Sequence, residues 1–270
     1  MINKRKWIGI IFFIFLLSCT ENQKNGLTED NYDDADNQTE SVISKSNIQV
    51  FNAGVSGNTS DDLINRIEED VINLSPDIVI VMVGTNDMVN SKKLVPYSTY
   101  KNNITKIVKD LKQESIDVIL MSPPPVDSEF LYTRHSEEVF LNNPPNQKLD
   151  SVRNILKETS LQFNVGFVDV FSEFEKRGLP KHNQDEFIRN LYNSGSEDGV
   201  HLTPKGYILL SSLLFEYLLN NNYLDKKNLK IICFGDSITK GVHVEGSGTS
   251  LGETYSAVLL DFIKKFKDKN

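Results

Sequence analysis

The chain has 270 residues, 39% of them hydrophobic and 24% charged, ordinary proportions for a globular protein with material for one sizeable core. Its formal net charge of -8 argues against a nucleic-acid partner, because phosphate binding needs clustered Lys and Arg. The balance fits a small neutral or cationic ligand, or a partner chosen without regard to charge.

The first eighteen residues stand apart from the fold. Lys4, Arg5 and Lys6 precede an apolar run from Trp7 to Leu17, which is short for a membrane span and the length of a signal-peptide core. The run ends in Leu16-Leu17-Ser18-Cys19, which resembles the lipobox of bacterial lipoproteins. That resemblance implies cleavage before Cys19 and lipid on its new N-terminus, holding the protein at a membrane of the bacterial cell envelope without spanning it. The alternative is an ordinary secretory signal in which Cys19 is incidental. Residues 19–46 are polar and acidic, too poor in large apolar side chains to fold, and read as a flexible tether. The other cysteine, Cys233, lies in an apolar run; with Cys19 lipidated no internal disulfide can form, and Cys233 reads as a small core residue.

Residues 47–270 read as one domain in which strands and helices alternate. Short β-branched runs at Ile48–Asn52, Asp77–Val83, Asp117–Ser122, Gly166–Val170 and Leu229–Phe234 favour buried strands of a parallel sheet. Between them, Ser60-Asp61-Asp62 caps a helix with Leu63, Ile64, Ile67, Val71 and Ile72 on one face. Tyr100–Lys112 and Lys148–Gln162 are further amphipathic stretches. Thr203-Pro204 opens a helix through Leu219, with Thr as N-cap and Pro in the first turn. A last helix, from about Thr254 to Lys267, spaces Val258, Leu259, Phe262, Ile263 and Phe266 as one face. This alternation predicts an α/β fold, a doubly wound three-layer sandwich. The irregular Pro123–Pro145 segment reads as a functional loop.

Four motifs sit at strand ends or before helices. Gly235-Asp236-Ser237 follows the Leu229 strand, where ligand crevices of open α/β sheets lie, although Asp and Ser also serve simply as helix caps. In Asp198-Gly199-Val200-His201, a carboxylate three residues before an imidazole can fix its tautomer, as a general base requires; alone, the pattern could be a satisfied turn. Asn52-Ala53-Gly54-Val55-Ser56-Gly57 has a glycine, Gly54, where a backbone N–H could approach a ligand, and Gly57 for a turn. Gly84-Thr85-Asn86-Asp87 could be a tight turn in which Asn and Asp bond their own backbone.

Together the four resemble the blocks of the SGNH (GDSL-like) hydrolases, over about residues 47 to 270. The stretch Asp198 to Gly206 is especially similar to the small-ester hydrolases of that family. The resemblance implies a flavodoxin-like sandwich with a five-stranded parallel sheet. It further implies Ser237 as nucleophile, His201 as base and Asp198 as its orienting acid, with an oxyanion held by the N–H groups of Ser237 and Gly54 and by the Asn86 amide. Such chemistry needs no cofactor, and no Cys/His/Asp spacing suggests a metal. Among the remaining histidines, His135 and His182 read as rim or solvent residues, and His243 is a candidate pocket residue.

The block order departs from the family, which places the Ser block first. Here it comes last, each block occurs once, and Asn220–Asn228 is a polar connector, so the pattern implies a circular permutation in preference to a truncated tandem. The expected spatial strand order is Ile48, Leu229, Asp77, Asp117, Gly166. The function implied is hydrolysis of short acyl esters, acetyl foremost, on a glycan or small molecule. Alternatives are a lysophospholipase, thioesterase or acyltransferase with the same triad, for which Phe130, Leu131, Tyr132, Val139 and Phe140 would supply an apolar rim, or a non-catalytic surface binding lipoprotein.

Overall fold

The computed structural model describes residues 47–269; the expected signal segment, Cys19 and the tether lie outside them. Five strands form one sheet: β1 (Asn47–Gly54), β2 (Ile78–Met82), β3 (Asp117–Met121), β4 (Gly166–Val168) and β5 (Asn228–Gly235). Every pairing is parallel and the order is β1-β5-β2-β3-β4, the order expected from the sequence. The helices, in chain order, are α1 (Ser60–Asp70), α2 (Thr85–Val89), α3 (Tyr97–Gln113), α4 (Ser128–Tyr132), α5 (Pro145–Phe163), α6 (Val170–Lys176), α7 (Leu191–Ser194), α8 (Pro204–Asn220), α9 (Ser237–Lys240) and α10 (Tyr255–Lys267). Among the described residues no helix is long and apolar enough to cross a membrane.

The inner strands carry continuous apolar runs because helices cover both faces, and alternate side chains divide between two cores. Ile80, Met82, Ile231 and Cys233 join Leu210, Leu214 of α8 and Leu259, Ile263 of α10 on one side. Val79, Val81, Ile232 and Phe234 join Leu63, Ile67 of α1, Ile104, Ile107 of α3 and Val152, Leu156 of α5 on the other. Cys233 is fully buried, and burial pushes its thiol up to about 12, so it is an inert core residue.

Thr203 caps α8 as expected, its side chain accepting from the Gly206 amide, and Thr254 caps α10. The cap of α1 is Thr59, not the Ser60-Asp61-Asp62 run: Thr59 and Asp62 form a capping box, which releases Ser60 for another partner. On α10 the buried positions are Tyr255, Ser256, Leu259 and Ile263, while Phe262 lies on a shallow surface cleft with Phe215. The Pro123–Pro145 segment is not a bare loop, since it contains α4 and a short 3-10 turn at Glu137–Phe140.

Candidate active site

The carboxyl ends of β1, β5 and β2 meet at one point, where Gly235 is in register with both Gly54 and Met82. Gly235 has no room for a side chain: a Cβ there would stand 2.2 Å from Met82 O and 2.3 Å from Thr239 Oγ1. Asp236 then caps α9, its Oδ1 accepting from the Ile238 amide at 2.9 Å. Burial pushes the Asp236 carboxyl up to about 7, against the lowering effect of that amide. Ser237 is the first residue of α9, so its own N–H has no intrahelical acceptor.

Ser237 Oγ lies 3.1 Å from His201 Nε2, and His201 Nδ1 lies 2.9 Å from Asp198 Oδ2. The Asp198 carboxylate is almost fully buried and also accepts the amides of Val200 and His201, each at 3.0 Å. Burial alone would raise its pKa. The hydrogen bonds from the His201 ring and backbone, with the charges of His201 and Arg134, prevail and hold it well below the usual carboxylate range. An ionised Asp198 keeps the Nδ1 proton on its own side and leaves Nε2 free to accept from Ser237. Gly199, at φ +71°, makes the Asp-to-His turn, and a Cβ on it would meet Asp127 O at 2.7 Å. The Asp127 amide in turn donates to Gly199 O at 2.7 Å, so the segment carrying α4 buttresses this turn. From the same segment Arg134 donates to the Asp198 carbonyl and stands 3.5 Å from its carboxylate.

Asn86 is the second residue of α2, which follows the carboxyl end of β2. One Nδ2 proton goes to Asn58 O at 3.0 Å and Oδ1 accepts from Asn90 at 3.2 Å, which leaves the second Nδ2 proton uncommitted. Its neighbour Asp87 does more than bond its own backbone. It is buried and takes the amide and hydroxyl of Ser60 at 2.9 and 2.5 Å, pinning α2 to the start of α1, and burial pushes it up to about 6.

The expectation for Gly54 is corrected. Its N–H donates to Asn52 Oδ1 at 3.0 Å, so it is engaged. The glycine is required by packing, because a Cβ would stand 2.1 Å from Lys240 N and 2.6 Å from Thr239 C, the backbone of α9. The amide of Gly57, in the same motif at φ +77°, makes no hydrogen bond among the described residues. That glycine was legible only as a turn residue.

Two further residues hold the site: Arg66, which no motif marks, and Asn52, which opens the third motif with no role assigned to it. Arg66 on α1 donates to Gly235 O at 2.8 Å, Ala53 O at 3.0 Å and Asn58 Oδ1 at 2.7 Å, with its guanidinium over the Phe234 ring. Asn52 donates to Thr239 O at 2.9 Å and Ser256 Oγ at 3.1 Å, tying β1 to α9 and α10. The partners that tie the elements together, Gly235 for Arg66 and Thr239 and Ser256 for Asn52, are distant in sequence, so no local pattern reveals these roles.

Of the residues that would supply an apolar rim in a lipid-acting enzyme, Phe130, Leu131 and Phe140 are buried, Tyr132 is partly so, and Val139 is exposed. His182 bonds Asp127 at 2.9 Å, which raises its pKa, and His135 accepts from the Ser91 amide at 3.3 Å. His243 is edge-on to His201, with ring centroids 5.2 Å apart.

Comparison with known proteins adds the wider context. The profile of the GDSL-like Lipase/Acylhydrolase family matches residues 18–209. The "Uncharacterized lipoprotein YqeF" of Bacillus subtilis (strain 168) is 27% identical over 172 residues, 60% of this chain and 70% of that protein. An acetylxylan esterase of Geobacillus stearothermophilus is 28% identical over 180 residues, 64% of this chain and 73% of that protein. A crystal structure of a catalytic mutant of an acetylxylan esterase from Geobacillus stearothermophilus superposes with a TM-score of 0.50 at 24% identity, over 61% of this chain and 69% of that one, a likeness of fold. The profile spans well over half of the sequence and takes in Gly54, Asn86, Asp198 and His201. The chain therefore belongs to the GDSL-like lipase/acylhydrolase family.

Proposed function

We propose that this chain is a lipid-anchored serine esterase of the cell envelope that removes short acyl groups, acetyl foremost, from a glycan or other small ester. The observation that carries the reading is the unbroken Ser237–His201–Asp198 relay at 3.1 and 2.9 Å. Ser237 Oγ attacks the ester carbonyl as His201 Nε2 takes its proton, and Asp198 stabilises the imidazolium. The oxyanion is held by the Ser237 N–H and the spare Asn86 Nδ2 proton, with the unengaged Gly57 amide as the third donor. Gly57 precedes Asn58, whose carbonyl orients Asn86 at 3.0 Å. His201 then protonates the departing alcohol, and water, activated by the same imidazole, releases the acid from Ser237.

The short-acyl preference is supported by the acetylxylan esterase relative and by the burial of Phe130, Leu131 and Phe140, which leaves little apolar rim for a long chain. The test is hydrolysis of p-nitrophenyl acetate against octanoate by the full chain, followed by acetylated xylo-oligosaccharide. The acetate should be favoured at least tenfold; preference for octanoate would support the lysophospholipase reading instead.

The motif order is read as a circular permutation. Supporting it, β5 lies between β1 and β2 although it is last in sequence, and the family match ends before Ser237. The ends of the domain are close: Asn47 N donates to Lys227 O at 3.1 Å and Lys267 Nζ donates to Lys226 O at 3.1 Å. A chain recut in the 220–228 connector, with its present ends joined, should fold and keep the parent rate; failure to fold would count against the reading. Anchoring rests on Leu16–Cys19 and on the relative named as a lipoprotein. Cys19→Ser should move the protein from the membrane fraction to the soluble one.

A further inference from the structure

His243 has a backbone that an L-residue seldom adopts, φ +72°, of the kind found at ligand clamps. This conformation sets its ring at 83° to that of His201 and brings its Nε2 to 3.7 Å from Asp198 Oδ2. His201 Nδ1 reaches the same oxygen at 2.9 Å, and one donor atom from each of the three residues lies within 4.8 Å of the others. Ligands about 2.0–2.2 Å from a tetrahedral zinc ion stand roughly 3.3–3.6 Å apart, a spacing bracketed by the 2.9 and 3.7 Å separations of His201 Nδ1 and His243 Nε2 from Asp198 Oδ2. Two imidazoles and one carboxylate are a donor set that zinc accepts. The His243 side chain is 49% exposed, so an ion has a route from solvent and water can complete its shell.

We propose that Asp198, His201 and His243 form an inhibitory site for a divalent transition-metal ion such as Zn2+. The proposal rests on the reading of His201 as the general base. In the active form His201 is neutral, with its proton on Nδ1 toward Asp198. An ion bound to Asp198 Oδ2, His243 Nε2 and His201 Nδ1 takes the place of that proton, which moves through solvent to Nε2. The nitrogen that faces Ser237 Oγ at 3.1 Å then donates where it must accept, and proton abstraction stops. No electron is transferred and the ring stays neutral. Two other cations oppose the ion, Arg134 at 3.5 Å and Arg189 at 3.7 Å from the carboxylate. The site is accordingly one of moderate affinity that empties and fills with the ambient ion, suited to switching the esterase off and not to holding a resident metal.

The test uses Zn2+ alone, calorimetry on the full chain and, separately, inhibition of p-nitrophenyl acetate hydrolysis. His243→Asn removes the imidazole with a residue that tolerates the left-handed backbone, and its melting temperature should match the parent's. The parent should bind one Zn2+ in the micromolar range and be inhibited over the same range, reversibly with EDTA. In His243→Asn, Zn2+ binding should weaken at least tenfold, and inhibition, measured against that variant's own metal-free rate, should weaken by the same factor. Ser237→Ala should bind the ion as the parent does, so the calorimetry decides the metal site even if no ester is hydrolysed. Equal Zn2+ binding by parent and His243→Asn, or none by either, would overturn the proposal.

Discussion

Gly54→Ala separates two explanations for a glycine beside the nucleophile. If Gly54 served only to offer its N–H to an oxyanion, alanine would keep that N–H and nearly all of the activity. The packing says otherwise. The new Cβ would stand 2.1 Å from Lys240 N, 1.3 Å short of an ordinary 3.4 Å contact, and 2.6 Å from Lys240 Cα and Thr239 C. These atoms are backbone and cannot rotate away, so either α9 moves or the end of β1 does. Helix α9 begins with Ser237, and Asn52 bonds its Thr239 carbonyl, so a shift on the order of 1 Å reaches the Ser237 Oγ to His201 Nε2 contact. Misplacement of that size costs about a hundredfold in rate, and overpacking costs about 1–3 kcal/mol in stability. The assay is kcat on p-nitrophenyl acetate beside a thermal melt. A Gly54→Ala protein with the parent's kcat and melting temperature would refute the packing argument.

Asn86→Ala removes one oxyanion donor and should lower kcat by about a hundred- to a thousandfold with KM little changed; an equal rate would remove Asn86 from the oxyanion site. Asp198→Asn keeps the shape of the turn but no longer fixes the His201 tautomer, and kcat should fall by about ten-thousandfold, as for other Ser-His-Asp enzymes. The Asp236 carboxyl, raised from 3.8 to about 7 by burial, holds its proton more tightly folded than unfolded. Its contribution is therefore full below about pH 4 and is lost as pH rises toward 7. Asp236→Asn stays neutral throughout, so its melting temperature should gain on the parent's by several degrees between pH 4.5 and 7.5, on the order of 3 kcal/mol. A constant difference would show that Asp236 does not titrate there.

The sheet was legible because strands buried on both faces need unbroken β-branched runs, and Ile78–Met82 or Leu229–Phe234 have no other use for them. The start of α8 was equally plain, since Thr203 and Pro204 carry their own reasons to begin a helix. The motifs named Ser237, His201, Asp198 and Asn86, because the residues of each block are close in sequence. What could not be read was how the blocks touch. Gly54 is set by the backbone of Lys240, far along the chain, and Arg66 and Asn52 act through carbonyls and hydroxyls contributed by other elements. Whether the Pro123–Pro145 segment offers the apolar rim of a lipid-acting enzyme was illegible for a similar reason: Phe130 and Phe140 are apolar enough for a lipid surface, yet the segment folds them inward. Composition gives a side chain's preference for burial, not which apolar surface will satisfy it.

Ser237 is proposed as the nucleophile despite its place late in the sequence. Treating the full chain with a fluorophosphonate and mapping the adduct by mass spectrometry tests it most directly. One adduct per chain is expected, on the peptide containing Ser237, formed in step with loss of p-nitrophenyl acetate hydrolysis and absent from Ser237→Ala. An adduct on another serine that tracks the lost activity, or undiminished hydrolysis by Ser237→Ala, would contradict it.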